Sequence, residues 1–174
     1  MFEENNSIII VDDQQDHLNR LSNIFCRYGI ACRTLLYDGM TEIKPLTGVK
    51  IAFFDVILTT AGDESAELAT LSDAMKTYIS SDNNPFVLVL WTSKPEYKDK
   101  LIEYINRPGN NDKMPKPIEI DVIDKNEFLE NEDALHDRLE TLMNERIVKC
   151  LYSFETELRQ ASDKSLYEVV RLIP

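Results

Sequence analysis

Five short apolar runs alternate along the chain with longer segments in which apolar residues recur at helical spacing. The apolar runs cover residues 7–11, 30–36, 51–54, 86–91 and 118–124. The helical segments cover about 14–28, 65–80, 96–105 and 132–160, and the connection 37–50 has room only for a short helix. Strand-like runs that alternate with helices are typical of βα units, so the pattern predicts an α/β protein with a parallel sheet.

The last helical segment is longer than a five-stranded domain needs. It keeps an apolar stripe through Ile147, Phe154 and Leu158, and it contains no Pro or Gly. A helix over 132–160 would be roughly 40 Å long at 1.5 Å per residue, and a compact domain would cover only about its first half. We therefore expect a domain over 1–145 and a helical extension over 146–174, which serves for dimerisation or as a linker to an effector.

Charge and composition narrow the function classes. Thirty-one acidic residues against 19 basic ones give a formal net charge of −12, which disfavours direct binding to nucleic acid. No apolar stretch approaches the roughly 18 residues of a membrane span, and residues 1–6 lack the basic and apolar regions of a signal peptide. The three cysteines are scattered and fit neither a disulfide framework nor a zinc site. We expect a cytoplasmic protein with reduced thiols that contacts neither membrane nor nucleic acid.

Polar side chains follow the apolar runs at four of their ends. They are Asp12, Asp13, Asp55, Thr92, Ser93 and Lys125. Because the carboxyl ends of parallel strands share one edge of a sheet, and ligands bind outside that edge, these side chains should converge on one site.

The types of side chain indicate phosphoryl chemistry. Mg²⁺ prefers carboxylate, water and phosphate oxygens. Asp13 and Asp55 can supply the carboxylates, and Asp12 can hold a coordinated water. A carboxylate can also act as a nucleophile towards phosphorus, while an ammonium and a hydroxyl can hold the phosphoryl oxygens. Taken singly, each Asp could be a helix cap and Lys125 a solvated surface residue; the whole set predicts a Mg²⁺-dependent phosphoryl site.

With these residues in this order, residues 7–130 resemble the receiver domain of two-component response regulators. The resemblance implies a flavodoxin-like, doubly wound sheet of five parallel strands in the order 2-1-3-4-5, here with an extended C-terminal helix. It implies that Asp55 accepts a phosphoryl group from a sensor histidine kinase or phosphotransfer protein. Such a domain is a stoichiometric phosphoacceptor and not a turnover enzyme.

The resemblance also assigns roles at the site. The implied Mg²⁺ ligands are Asp12, Asp13, Asp55 and the backbone carbonyl of Ile57. The implied phosphoryl contacts are Thr92, Ser93 and Lys125. We further expect a homodimer built on the C-terminal helix.

Several positions depart from the family pattern. The spacings of 37 residues from Asp55 to Thr92 and 33 from Thr92 to Lys125 are long for the family. Asn126 stands where a proline is usual, and Val122 stands where strand five usually carries an aromatic residue. These departures leave open a degenerate receiver that acts as a phosphorylation-independent interaction or dimerisation module.

A phosphatase of the haloacid-dehalogenase type is a third alternative. That family also uses a strand-end Asp and Mg²⁺, but it needs Asp-x-Asp after its first strand, and here Gln14 occupies the second acidic position after Asp12. The alternative is therefore disfavoured.

Other candidate residues have plainer interpretations. His17 and His136 lack any partner pattern, and we expect both to be structural or exposed. Trp91 should lie in the core or cover the Thr92 site. Lys116 precedes strand five, so Lys125 is the lysine expected at the carboxyl edge.

Overall fold

The computed structural model describes residues 7–41, 43–59, 62–107 and 114–172. Within these ranges the strands are β1 (Ile8–Asp12), β2 (Arg33–Leu36), β3 (Ile51–Phe54), β4 (Val87–Thr92) and β5 (Glu119–Asp124). The helices are α1 (Gln15–Arg27), α2 (Glu64–Tyr78), α3 (Tyr97–Asn106), α4 (Lys125–Phe128), α5 (Glu132–Asn144) and α6 (Arg146–Arg171).

The strands form a single parallel sheet in the order β2-β1-β3-β4-β5. The predicted doubly wound, flavodoxin-like α/β architecture is confirmed. β1, β3 and β4 are buried along their whole length, as expected for strands covered by helices on both faces.

Each face of the sheet has its own apolar core. On one face α1 and α5 pack against alternate strand residues, with Leu21, Phe25 and Leu139 among the buried side chains. On the other face α2 and α3 do the same, with Leu71 and Leu101 buried. The alternation follows from the two-residue period of strands, which sends neighbouring side chains to opposite faces.

Local signals in the sequence set several helix ends. Gly29 follows α1 with φ of +69°, a left-handed conformation that glycine adopts without strain. The Asp63 side chain accepts a hydrogen bond from the N–H of Ala66 and caps the start of α2 (3.0 Å). The Asn131 side chain accepts one from the N–H of Ala134 and caps α5 (3.1 Å).

The long C-terminal helix is two helices, and the prediction of a continuous one over 132–160 is wrong. Glu145 adopts an extended conformation (φ −62°, ψ 145°) between α5 and α6. Leu142 and Val148 are both fully buried in the same core. In a continuous helix, six residues at about 100° each would turn Val148 about 120° away from Leu142, so the break is what buries both side chains.

The first two turns of α6 pack on the core through Val148, Leu151 and Tyr152, and beyond them the helix leaves the domain. Every side chain described from Ser153 to Leu172 is exposed. Large apolar groups among them include Phe154, Leu158, Leu166 and Val169. None of the helices formed by the described residues has the length and apolar character needed to cross a membrane.

Smaller differences concern short elements. β2 begins at Arg33 instead of residue 30, and the described residues of the 37–50 connection form no helix. The four-residue α4 is not predicted; it starts where the Asp124 side chain accepts from the N–H of Asn126 (2.8 Å).

Candidate functional site

The polar residues at the strand ends meet at the carboxyl edge of the sheet. The backbone N–H of Asp55 donates to the carbonyl of Val11 (3.0 Å), which extends the β1–β3 ladder and sets Asp55 beside Asp12. β4 and β5 pair up to their last residues, Thr92 and Asp124. Lys125, the first residue of α4, therefore lies at the same edge. The sheet therefore brings together side chains that are far apart in sequence, at the edge where α/β sheets bind ligands.

The ammonium group of Lys125 lies at the centre of the cluster. It donates to Asp55 Oδ2 (2.6 Å) and to Asp12 Oδ2 (2.8 Å), and its Nζ lies 3.1 Å from Nδ1 of His17. Two carboxylate oxygens and one imidazole nitrogen thus face the three N–H groups of the ammonium. Lys125 is only 6% exposed, and these contacts compensate the cost of burying its charge.

The carboxylates are held in an environment that disfavours their charge. Burial is the main cause that raises the pKa of Asp55; repulsion from Asp12 adds to it, and the Lys125 ammonium works against it. Burial and then repulsion from Asp12 raise the pKa of Asp13. Asp13 Oδ1 is buried and has no hydrogen-bond partner among the described residues. These carboxylates would bind a cation favourably.

The residues present fit a metal ion on two grounds. Ligand atoms of Asp12, His17 and Asp55 lie within 4.8 Å of one another. The three carboxylates carry more negative charge than the single ammonium can neutralise, and a divalent cation would balance the excess. This buried group can hold a metal ion.

A cleft of about 320 Å³ opens the cluster to solvent. The sequence-predicted site residues on its wall are Asp13, Asp55, Ile57, Ser93 and Lys125. The backbone N–H of Ile57 donates to Asp55 Oδ1 (3.1 Å) and fixes the carboxylate that faces the cleft. The cleft is large enough for a small anionic group next to a cation.

The two candidate hydroxyls differ in position. Ser93 lines the cleft. Thr92 is fully buried, and its Oγ1 accepts from the N–H of Lys94 (3.2 Å). Lys94 in turn forms a bidentate contact with the buried carboxylate of Glu67 (2.9 Å to each oxygen), and Tyr97 donates to the same carboxylate. The loop after β4 is thereby tied to α2.

Sequence reasoning missed His17 as a member of the site. Its side chain is 12% exposed and lies against both Lys125 and Asp12, so it is not an exposed histidine. The available signal is its place in the first turn of α1, four residues after Asp13. Side chains on a helix tilt towards its N-terminus, and the N-terminus of α1 lies at the carboxyl edge.

The remaining candidates take simpler positions. Trp91 is fully buried in the core, and Lys125 Nζ lies 5.7 Å from the centroid of its ring. His136 stacks on Tyr28 on the outer side of α5. Lys116 is exposed before β5, at the opposite edge of the sheet, so Lys125 is the lysine that reaches the cluster.

Comparison of the chain with models of known families, with curated proteins and with solved structures finds no match. The fold and the geometry of the site are therefore the observations that bear on function.

Proposed function

We propose that this chain is a receiver-type signalling domain that accepts a phosphoryl group on Asp55 in the presence of Mg²⁺. The observation that carries the proposal is the contact of Lys125 with Asp12 and Asp55 at the carboxyl edge of a 2-1-3-4-5 parallel sheet. This contact brings a carboxylate nucleophile, a second carboxylate and an ammonium together at one site, which is the set that phosphoryl transfer to an Asp requires.

In the proposed reaction, an Asp55 carboxylate oxygen attacks the phosphorus of the donor. The new P–O bond forms as the bond from phosphorus to the leaving group breaks, and the leaving group departs with the electron pair. The Lys125 ammonium turns from Asp55 towards a phosphoryl oxygen, and the Ser93 or Thr92 hydroxyl donates to another. Mg²⁺ held by Asp12, Asp13, Asp55 and the Ile57 carbonyl would neutralise charge on the phosphoryl group.

The geometry also supports the stoichiometric character of the reaction. His17 lines the cleft, but its Nδ1 lies 3.1 Å from the Lys125 ammonium, so the proposal gives it no role as a general acid or base. The phosphoryl donor in this proposal is a sensor histidine kinase or a phosphotransfer protein. The proposal places the chain in the cytoplasm, where the thiols of Cys26, Cys32 and Cys150 would stay reduced.

A second function is favoured by one observation. Asp55 is only 4% exposed, and its Oδ2 is already bound by Lys125. If that ion pair stays closed towards donors, the chain would act as a degenerate receiver, an interaction module that needs no phosphorylation. The two functions differ in whether Asp55 can be labelled.

For the output we infer that α6 pairs with α6 of a second copy. Apolar side chains recur at intervals of four and three residues along Phe154, Leu158 and Ala161, the spacing of a coiled-coil seam. Leu151, three residues earlier, packs against the core of the domain. Phe154 is 64% and Leu158 56% exposed, and exposed apolar surface of this kind usually marks an interface.

The charges beside this seam make it complementary to itself. Glu157 and Lys164 occupy equivalent positions one heptad apart, and both are exposed. In an antiparallel pair of α6 helices, Glu157 of each copy would face Lys164 of the other, so one contact forms twice about a two-fold axis.

Intact-mass measurement after incubation with acetyl phosphate and Mg²⁺ tests the phosphoacceptor function. The wild-type chain should gain the mass of one phosphoryl group, and Asp55→Asn should gain none. Asp73→Asn is the matched control, because Asp73 is exposed on α2 away from the cleft, and it should be labelled like the wild type. Absence of labelling in a folded wild-type chain would favour the interaction module.

A further inference from the structure

We propose that Asp12, Asp55 and His17 bind a first-row transition-metal dication, with His17 Nδ1 as a ligand, more tightly than they bind Mg²⁺. This inference extends the metal component of the proposed function, and it concerns a ligand outside the carboxylates and the carbonyl named above. It needs no phosphorylation to be tested.

The ligand atoms already converge on one point. One atom each from Asp12, His17 and Asp55 lies within 4.8 Å of the others, and Lys125 Nζ sits between them at 2.6–3.1 Å. A cation thus already occupies the centre of the set. Metal–ligand distances are near 2.0–2.2 Å for nitrogen and carboxylate oxygen, so small side-chain movements would suffice once the ammonium moves out.

The imidazole faces the cluster with the atom that a metal needs. Nδ1 of His17 lies 3.1 Å from Lys125 Nζ and 3.3 Å from Asp12 Oδ1. The ammonium can only donate, so the tautomer with its proton on Nε2 offers it the Nδ1 lone pair. This tautomer can ligate a metal through Nδ1, and the contacts with Lys125 and Asp12 orient the partly buried ring towards the cluster.

The nitrogen ligand determines which cations the site prefers. Mg²⁺ takes oxygen ligands almost entirely and keeps several waters. Imidazole is a ligand of transition metals. Their affinity for mixed nitrogen and oxygen ligand sets increases in the order Mn²⁺, Fe²⁺, Co²⁺, Ni²⁺, Cu²⁺. Two carboxylates and one imidazole therefore favour a transition metal over Mg²⁺.

Lys125 and the metal compete for the same acceptors. The ammonium contacts Asp12, Asp55 and His17 at once, and a dication bound to that set must displace it. Metal binding would thus free the ammonium for the cleft that Ser93 lines. It follows that removal of the ammonium should strengthen metal binding.

Mn²⁺ is the probe, because pulsed electron paramagnetic resonance detects a nitrogen nucleus in its first coordination shell. The Mn²⁺-loaded wild-type chain should show coupling to one ¹⁴N, and His17→Gln should lose it. His17→Gln should also weaken Mn²⁺ binding by at least about tenfold, the lower end of what the loss of a ligand's supporting partner costs, while Mg²⁺ binding changes by less than about twofold.

His136→Gln is the matched control. His136 with Asp137 and Glu140 forms the other group of ligand atoms with this spacing among the described residues. This variant should keep the coupling and the Mn²⁺ affinity. Loss of the coupling in His136→Gln, with retention in His17→Gln, would move the site to α5 and overturn the proposal. Wild-type Mn²⁺ binding without nitrogen coupling would overturn it as well.

A third variant tests the competition, and the phosphoryl assay separates the two proposals. Lys125→Ala should bind Mn²⁺ more tightly than the wild type; weaker binding would contradict the shared ligand set. Phosphoryl labelling of Asp55 with Mg²⁺ in His17→Gln, together with no wild-type nitrogen coupling, would sink this inference and leave the proposed function standing. Nitrogen coupling in the wild type without phosphoryl labelling of Asp55 would support this inference and contradict the proposed function.

Discussion

The side chain of Lys125 is buried with its charge, and its three contacts explain how the fold tolerates this. If a shorter or neutral side chain replaces it, Asp12 and Asp55 remain buried without a counter-charge. Breaking a buried ion pair by removing one partner costs about 3 kcal/mol or more. We expect Lys125→Met to lower the free energy of unfolding by about 3 kcal/mol at neutral pH, as measured by urea denaturation with a chelator present.

Lys116→Met is the control for that loss. Lys116 is exposed before β5, and surface substitutions usually change stability by within about 0.5 kcal/mol. Similar values for the two variants would mean that the Lys125 contacts add nothing to stability.

The raised pKa of Asp13 predicts a dependence of stability on pH. Burial and the neighbouring Asp12 hold the pKa of Asp13 above its ordinary 3.8, so the folded state keeps the proton over a range in which the unfolded chain has lost it. The stabilising contribution of this carboxyl group is present below pH 3.8 and is lost as the pH rises through the pKa of the folded state. Asp13→Asn should therefore gain stability over the wild type as pH rises from about 4 to 7 in metal-free buffer.

Asp38 provides a control of opposite sign. The Thr41 hydroxyl and two backbone N–H groups donate to it and lower its pKa to about 2. Its contribution is present above 3.8 and is lost as pH falls towards 2. Asp38→Asn should thus lose stability at neutral pH and approach the wild type in acid. A pH-independent difference between Asp13→Asn and wild type would contradict the account of Asp13.

At the residue scale, the carboxyl-edge cluster was predictable and its internal contacts were not. Asp12, Asp55 and Lys125 follow apolar runs, so the sheet alone brings them together. His17 joins them through the tilt of a helical side chain, which no apolar run marks. Thr92 is buried and Ser93 lines the cleft. Which of the two hydroxyls reaches the cleft depends on the exact residue at which β4 ends, and the apolar run does not define that residue.

At the element scale, the break at Glu145 makes a testable claim about Val148. This side chain is fully buried in the core that holds Leu142. We expect Val148→Ala to lower the free energy of unfolding by about 2 kcal/mol, from lost burial and the cavity left behind. Val169→Ala, on the exposed part of α6 (58% exposed), should change it by less than about 0.5 kcal/mol. Equal effects, measured by thermal or urea unfolding, would contradict the burial of Val148 that the break produces.

The same break shows where the element pattern stops being informative. Strand and helix periodicity located β3, α1 and most other elements to within a few residues of the structure. Glu145 carries neither the ring of proline nor the freedom of glycine, and the chain turns there because tertiary burial of Val148 outweighs helical continuity. Propensity along one segment contains no information about that competition.

At the scale of the whole molecule, α6 should make the chain a two-fold dimer. Lys164→Glu would place like charges opposite each other in the antiparallel pair, and it should weaken dimerisation in light scattering or sedimentation. The double variant with Glu157→Lys and Lys164→Glu should restore it, since the pair is then reversed on both copies.

Two further variants test the seam itself. Leu158→Glu puts a charge on the exposed apolar stripe and should give a monomer, whereas Gln160→Glu, exposed on another side of α6, should not. A wild-type chain that is monomeric at micromolar concentrations, or a double charge reversal that fails to restore the dimer, would refute the antiparallel arrangement.

The central claim is that Asp55 takes the phosphoryl group. Borohydride reduces an aspartyl phosphate to homoserine, so reduction after treatment with acetyl phosphate and Mg²⁺, followed by peptide sequencing in a mass spectrometer, locates the modified residue. Homoserine is expected at position 55 in the wild-type chain. Homoserine at position 12, 13 or 124, or a chain that remains unmodified while folded and metal-loaded, would contradict it.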